Sequence, residues 1–312
     1  MTTRIPLICA ALFVSVSCAA TQPPPSMNPA RIIAEPDLPE PVEEEALPAT
    51  AQQRTYMYKG EPAQAALTFW KTEPGADVFL DGKLVPIDRE GHFALGFDRD
   101  RTEDAELRVI YPDGTSLVQT LTIADREFPI SRIDGLPPSK VNTFTEEQLA
   151  KIAEDRELKN AARAERAATS YWRAGFDWPV KGRISTRMGA QRILNGDPAR
   201  PHSGTDVAAP PGTTPMEFQG TDVRAPSTGR VTLAEDDMYF EGGLVFIDHG
   251  QEIESVLMHL SRVDVKPGQI VTKGEVIGAV GMTGRATGPH LHWTLNWRGT
   301  PMDPQLLVPP ME

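Results

Sequence analysis

From Trp178-Pro179 to the C-terminus the chain carries no helical period, and this narrows its fold more than any other feature. Residues 223–231, 243–248, 253–260, 269–280 and 290–297 are β-like runs separated by Gly, Pro and Asp turns. Short strands at such spacing describe an all-β domain, here over residues 177–308. Residues 64–135 are β-prone as well. Leu67-Thr-Phe-Trp70 and Val78-Phe-Leu80 are short strand-like runs, and Asp81-Gly82 and Asp113-Gly114 are hairpin dipeptides. Leu107, Val109 and Tyr111 alternate onto one face, so a small β-sandwich-like domain is expected. Between the two lies a charged helical connector, residues 136–176. Thr145-Glu-Glu-Gln148 has capping-box form, and the run beyond it is dense in Ala, Glu, Arg and Lys. Its apolar stripe (Leu149, Ile152) is weak, which predicts a solvated helix. The predicted fold class is therefore mainly β with one connecting helix.

The N-terminal segment has a different character. Arg4 precedes a short apolar run over residues 5–16, shorter than the roughly 20 residues of a membrane-spanning helix, so residues 1–20 are expected to be an export signal. The chain has two cysteines, Cys9 and Cys18, both in this segment, which leaves no disulfide framework or thiolate metal site in the mature protein. Cys18 ends Val14-Ser15-Val16-Ser17-Cys18, a sequence that resembles a lipoprotein cleavage site, although Ser15 stands where an aliphatic residue is usual. A lipid anchor through Cys18 and ordinary cleavage around Ala19-Ala20 both remain open. Residues 21–63 are rich in Pro and Glu and are expected to form a disordered tether. With 31 basic against 43 acidic residues the net charge is −12, which excludes a nucleic-acid binder.

Chemistry concentrates in the histidines. His202-Ser-Gly-Thr-Asp206 offers an imidazole and a carboxylate, and Gly204 makes them converge through a turn rather than a helix. In Gly288-Pro-His290-Leu-His292-Trp293 the two histidines are two apart, so in a strand they share one face while Leu291 and Trp293 share the other. Same-face histidines in an apolar strand are costly unless a metal or a hydrogen-bond network satisfies them. His259 sits in Leu257-Met258-His259-Leu260, where an isolated histidine would be a satisfied core residue. His249 reads as a structural residue at a hairpin, and His92, after Gly91 in a turn, as a solvated one. Arg192 and Asn195 stand just ahead of the first motif, where substrate contact and loop stabilisation are equally open readings.

Together, His202-x-x-x-Asp206, Met258-His259-Leu260 and Thr283-Gly-Arg-x-Thr-Gly-Pro-His290-Leu-His292 resemble the M23 (lysostaphin/LytM-type) metallopeptidase family, over roughly residues 178–307. The upstream β domain and helix are similar in layout to M23 proteins of Gram-negative bacteria. The resemblance implies one zinc ion held by His202, Asp206 and His292, with His259 and His290 as the catalytic pair. It implies an exported endopeptidase, periplasmic or in the cell envelope, that cuts stem or cross-link peptides of peptidoglycan. The alternative is a non-catalytic wall-binding protein or amidase activator on the same fold. Three departures bear on substrate preference: Leu257 where the family often has Tyr, Met188-Gly189 where Phe-Gly is common, and an apparent insertion over residues 214–221.

Overall fold

The computed structural model describes residues 54–135, 144–164 and 166–311. The expected export signal, Cys18 and all but the end of the expected tether lie outside them. The strands in chain order are β1 Tyr56–Lys59, β2 Leu67–Lys71, β3 Asp77–Leu80, β4 Lys83–Val85, β5 His92–Gly96, β6 Ala105–Ile110, β7 Ser116–Leu121 and β8 Ile130–Ile133. Helix α1, Glu146–Ala164, follows. Then come β9 Arg183–Thr186, β10 Gln191–Leu194, β11 Asp197–Pro198, β12 Thr205–Ala208, helix α2 Pro215–Phe218 and β13 Asp222–Arg224. The chain closes with β14 Gly229–Met238, β15 Gly242–Gly250, β16 Ile253–Leu260, β17 Arg262–Val263, β18 Ile270–Val271, β19 Val276–Ala279, β20 His290–Trp297 and β21 Thr300–Met302.

The first β module is a pair of sheets, β1-β2-β5 and β4-β3-β6-β7, as the sandwich-like pattern predicts. Asp81 and Gly82 both take positive φ in the two-residue β3–β4 turn, the geometry that matches strand twist and favours Asp-Gly. Leu107, Val109 and Tyr111 are buried together. β1 corrects the expected tether boundary at residue 63. Tyr56–Lys59 pairs antiparallel with β2, Met57 packs against the core, and the Thr55 hydroxyl lies 2.7 Å from that of Thr72. A four-residue strand is lost when composition is averaged over a long Pro/Glu-rich stretch. His92 also differs from its solvated reading: it is buried, and its ring packs edge-on against Tyr58 beside Asp88.

The second module is built on an antiparallel sheet ordered β18-β14-β15-β16-β20-β12-β9, with β21 on the far side of β20. Leu291, Trp293 and Leu295 on β20 are fully buried, and Trp178 meets Trp293 edge-on at 5.9 Å. The hydrophobic core runs without a break from the first module into the second. Phe69 stacks on Trp172 with ring centroids 4.6 Å apart, and Arg126 pairs with the buried Asp303 at 2.6 Å. β8 leaves the first module to pair in parallel with β10.

Helix α1 is largely exposed, as its weak apolar stripe suggests, but one face of it is docked. The Thr145/Gln148 capping box forms in both directions, at 2.9 and 3.2 Å. The helix then docks through charge. Asp155, buried, accepts from the Tyr239 amide at 2.6 Å; Lys159 pairs with Glu241 at 2.5 Å; Arg163 bonds the fully buried Glu254 at 2.9 Å. Arg166, just beyond the helix, and Asn296 complete the cage around Glu254. A buried carboxylate is tolerated only when so paired. Hydropathy periodicity cannot register a docking face made of ion pairs. The 214–221 segment forms the short helix α2, capped by Thr214 and anchored by buried Phe218. Among the described residues no helix is long and apolar enough to cross a membrane.

Candidate metal centre

Strand register brings the site together. Asp206 on β12 lies directly opposite His292 on β20, and Ala208 lies opposite His290. Cross-strand partners share a face, and so do residues two apart, so Asp206, His290 and His292 point into one space. His202 arrives from the turn ahead of β12, tied by Gly189 N to His202 O and His202 N to Ala190 O, at 2.8 and 2.9 Å. Gly204 permits that approach. A Cβ there would lie 2.4 Å from the Trp293 carbonyl oxygen and 2.8 Å from His292 Nε2.

His259 reaches the same space by breaking the alternation of its strand. β16 pairs with β20 up to Met258 opposite His292, with Leu257 opposite Trp293 on the core side. Period two would send His259 to that core face as well. Instead its backbone takes φ of 66°, a left-handed value unusual outside glycine that costs about 1–3 kcal/mol. The Glu241 carbonyl holds the kink by accepting from His259 N–H at 2.8 Å. The His259 ring then stands 4.8 Å from that of His290 and 6.2 Å from that of His292, centroid to centroid. Leu257 is fully buried and lines no groove, so its departure from the family pattern cannot alter substrate preference by direct contact.

The donor set fits a small tetrahedral cation. His202 Nε2, Asp206 Oδ1 and His292 Nδ1 are separated by 3.1, 3.0 and 2.8 Å. Zinc bonds of about 2.0–2.1 Å place tetrahedral ligands roughly 3.3 Å apart, close to this spacing. Among the described residues this is the group of histidine and acidic side chains so arranged. The remaining ring nitrogens are engaged as a ligand role requires. His202 Nδ1 donates to the Arg187 carbonyl at 3.1 Å, and His292 Nε2 donates to Thr294 Oγ1 at 2.8 Å. Each bond assigns the tautomer and leaves the other nitrogen bare for a metal. Thr294, two residues after His292 on the same face, was legible from period two. The Arg187 carbonyl was not, because backbone acceptors have no residue signature.

His259 and His290 are oriented alike. His259 Nδ1 donates to the Thr283 carbonyl at 2.9 Å and His290 Nδ1 to that of Gly288 at 2.8 Å. Both Nε2 atoms are thereby bare when the rings are neutral, and that of His290 lies 3.8 Å from Asp206 Oδ1. Burial, with the neighbouring His290 and His292, pushes the His259 pKa down to about 4, so the ring is neutral at pH 7. Burial also lowers the pKa of His292. Burial opposes ionisation of Asp206, but the adjacent His202 and His292 rings outweigh it and hold the carboxyl well below the usual range.

His249 stands apart from the centre. It is fully buried on β15, with Nδ1 at 2.8 Å from the Thr228 carbonyl and Nε2 at 2.8 Å from Ser255 Oγ. Burial depresses its pKa from 6.5 to about 4. The unfolded chain therefore binds a proton at higher pH than the native one. Its contribution to stability is complete above about pH 6.5 and is lost as the pH falls toward 4, with a slope approaching about 1.4 kcal/mol per pH unit. Urea denaturation from pH 7 to 4 should show a shallower decline for His249→Gln than for the unsubstituted chain; equal slopes would refute the assignment.

Residues 200–304 match Peptidase family M23. The chain is 39% identical over 137 residues to the peptidoglycan DD-endopeptidase ShyA of Vibrio cholerae, covering 43% of this chain and 30% of that protein. It is 42% identical over 105 residues to the DD-carboxypeptidase/endopeptidase Mpg of Neisseria meningitidis, covering 34% of this chain and 22% of the relative. It thus spans less than a third of the length of these relatives. A crystal structure from Pseudomonas aeruginosa described as an M23 peptidase superposes with a TM-score of 0.58 at 28% identity, over 79% of this chain and 94% of that one. All strands of the histidine-lined sheet described above except β9 thus fall within the residues 200–304 that match Peptidase family M23.

Proposed function

We propose that the protein is a zinc-dependent endopeptidase that hydrolyses cross-link or stem peptides of bacterial peptidoglycan, with one zinc ion held by His202, Asp206 and His292. The observation that carries this reading is the convergence of three ligand atoms within 2.8–3.1 Å of one another beside two imidazoles with bare Nε2 atoms. The peptidoglycan DD-endopeptidase among the relatives supports the substrate class. Zinc, when bound, supplies Lewis acidity toward a carbonyl and lowers the pKa of water toward neutrality. The chain's own groups do the rest. His259, neutral and desolvated, accepts a proton at Nε2 from the attacking water. The imidazole that holds that proton becomes a donor, and within the closely spaced His259/His290 pair it can be delivered to the leaving amine. The backbone carbonyls of Thr283 and Gly288 keep both rings aimed during the exchange.

This substrate requires a site outside the cytoplasm, and Arg4 with the apolar run over residues 5–16 is the export signal we assign to that need. Anchoring through a lipid on Cys18 fits the same placement. The zinc-loaded full chain should release soluble fragments from purified cell-wall sacculi, with one new amine and one new carboxylate for each bond cut, as read by mass spectrometry. Wall binding without release at full zinc occupancy would instead support the non-catalytic alternative.

A further inference from the structure

Helix α1 lies on the face of the sheet that carries the metal centre. Ala162 packs against a cluster that contains Phe246 and Val256, and the Arg163 guanidinium stands 4.5 Å from the centre of the Phe246 ring. Val256 lies opposite Thr294 and Met258 opposite His292, so this is the face that His292 uses. The helix also meets the turn between β14 and β15, residues 239–241. Asp155 accepts from the Tyr239 amide at 2.6 Å, and Lys159 Nζ donates to Glu241 Oε1 at 2.5 Å. Phe144, just ahead of the helix, packs edge-on against the Tyr239 and Phe240 rings.

That turn holds His259 by two routes. The Glu241 carbonyl accepts His259 N–H at 2.8 Å and so maintains the left-handed kink. The Phe240 carbonyl accepts the Arg285 amide at 2.9 Å, and the Gly243 amide donates to Thr283 Oγ1 at 2.9 Å. These bonds seat the loop whose Thr283 carbonyl accepts from His259 Nδ1. The two turns are in close apposition, since a Cβ on Gly284 would lie 2.4 Å from Gly242 N. A left-handed residue other than glycine persists only where its surroundings over-determine it. Whatever fixes the turn therefore fixes both the backbone and the ring of His259.

Lys159 is the vulnerable point. The Glu241 side chain is largely buried, and its Oε2 has no hydrogen-bond partner among the described residues. Lys159 Nζ is thus the one donor, among those residues, to a desolvated carboxylate. Its removal leaves a buried charge unpaired, which drives Glu241 toward water and draws its carbonyl off the His259 amide. The helix stays docked after that loss, because Arg163 and Arg166 still hold the buried Glu254.

We propose that Lys159 is a positioning residue for His259, acting through Glu241 and the β14–β15 turn, so that helix α1 belongs to the framework of the site and is not only a connector. The kinetic part of the test rests on the peptidase reading above; the exchange part does not. With soluble cross-linked wall peptides and the zinc-loaded full chain, Lys159→Met should lower kcat by about 10- to 100-fold and leave KM within about twofold, as expected for a reacting group displaced by about 1 Å. Zinc content should not change, and Lys159→Arg should restore most of the rate. Asp155→Asn sets an amide NH2 against either the Tyr239 amide or Lys151, both donors, and should give the same signature.

Hydrogen exchange reads the turn without any turnover. The His259 amide should exchange about tenfold or more faster in Lys159→Met, while the amides of β12 keep their rates. Unchanged exchange at His259 would overturn the proposal whatever kcat does, and so would an unchanged kcat in a chain that cuts the peptides. Faster exchange throughout β12, or loss of zinc, would mark a general loosening and overturn it too. If the unsubstituted chain cuts nothing but exchange at His259 alone rises in Lys159→Met, the coupling stands and the assigned activity fails. If the peptides are cut and neither reading moves, the activity stands and the coupling fails.

Discussion

His292→Ala should reduce zinc from one ion per chain to near zero and take wall hydrolysis below detection. The ring does two things at once. Its Nδ1, 2.8 Å from Asp206 Oδ1, completes the proposed ligand set, and its Nε2 bonds Thr294 at 2.8 Å. Two protein ligands do not make a catalytic zinc site, which typically needs three and an open position. The Asp206 carboxylate would also lose one of the partners that keep it ionised despite burial. Elemental analysis of the purified variant reads the metal directly. Thermal melts with and without added zinc give a second reading, because an ion bound only by the native state raises Tm by mass action. A variant that keeps stoichiometric zinc, or keeps the zinc-dependent rise in Tm, would remove His292 from the ligand set.

His259→Ala is the complementary case: zinc should stay at one per chain while kcat falls by about 100- to 10,000-fold, the usual contribution of a positioned acid–base group. The residue contributes no atom to the three-ligand set, whose separations involve His202, Asp206 and His292 alone. Alanine is poorly suited to φ of 66°, so a parallel variant, His259→Asn, guards against a folding artefact, since asparagine tolerates the left-handed region better. Both variants should show the same rate loss with unchanged metal content. Loss of zinc in the Asn variant, or near-normal turnover in either, would contradict a proton-transfer role.

These two variants divide the five residues as the sequence resemblance does, but the reasons come from different levels. The pairing of His290 with His292 was legible locally, since two strand residues two apart must share a face. The turn at Gly204 was legible too, and Gly204 proves to stand where a Cβ would strike the neighbouring strand. His259 was not legible in this way. Counting along β16 assigns it to the core side with Leu257, and only the kink held by Glu241 and Thr283 turns it toward the site. Helix α1 shows the same limit. Its capping box is a four-residue pattern and formed as read, whereas its docking through Asp155, Lys159 and Arg163 depends on partners about 80 to 90 residues away.

By itself the sequence determined the β modules, their Asp-Gly hairpins, the helix start and the candidate metal-binding histidines. Those features follow from side-chain periodicity and turn stereochemistry acting over a few residues. Tertiary structure alone decided that Asp206 stands opposite His292 and that His202 closes on them. It also decided that the strand Tyr56–Lys59 belongs to the sheet and not to a tether. Strand register and loop closure couple residues far apart in the chain, and their energies come from packing and hydrogen bonds that no local window contains.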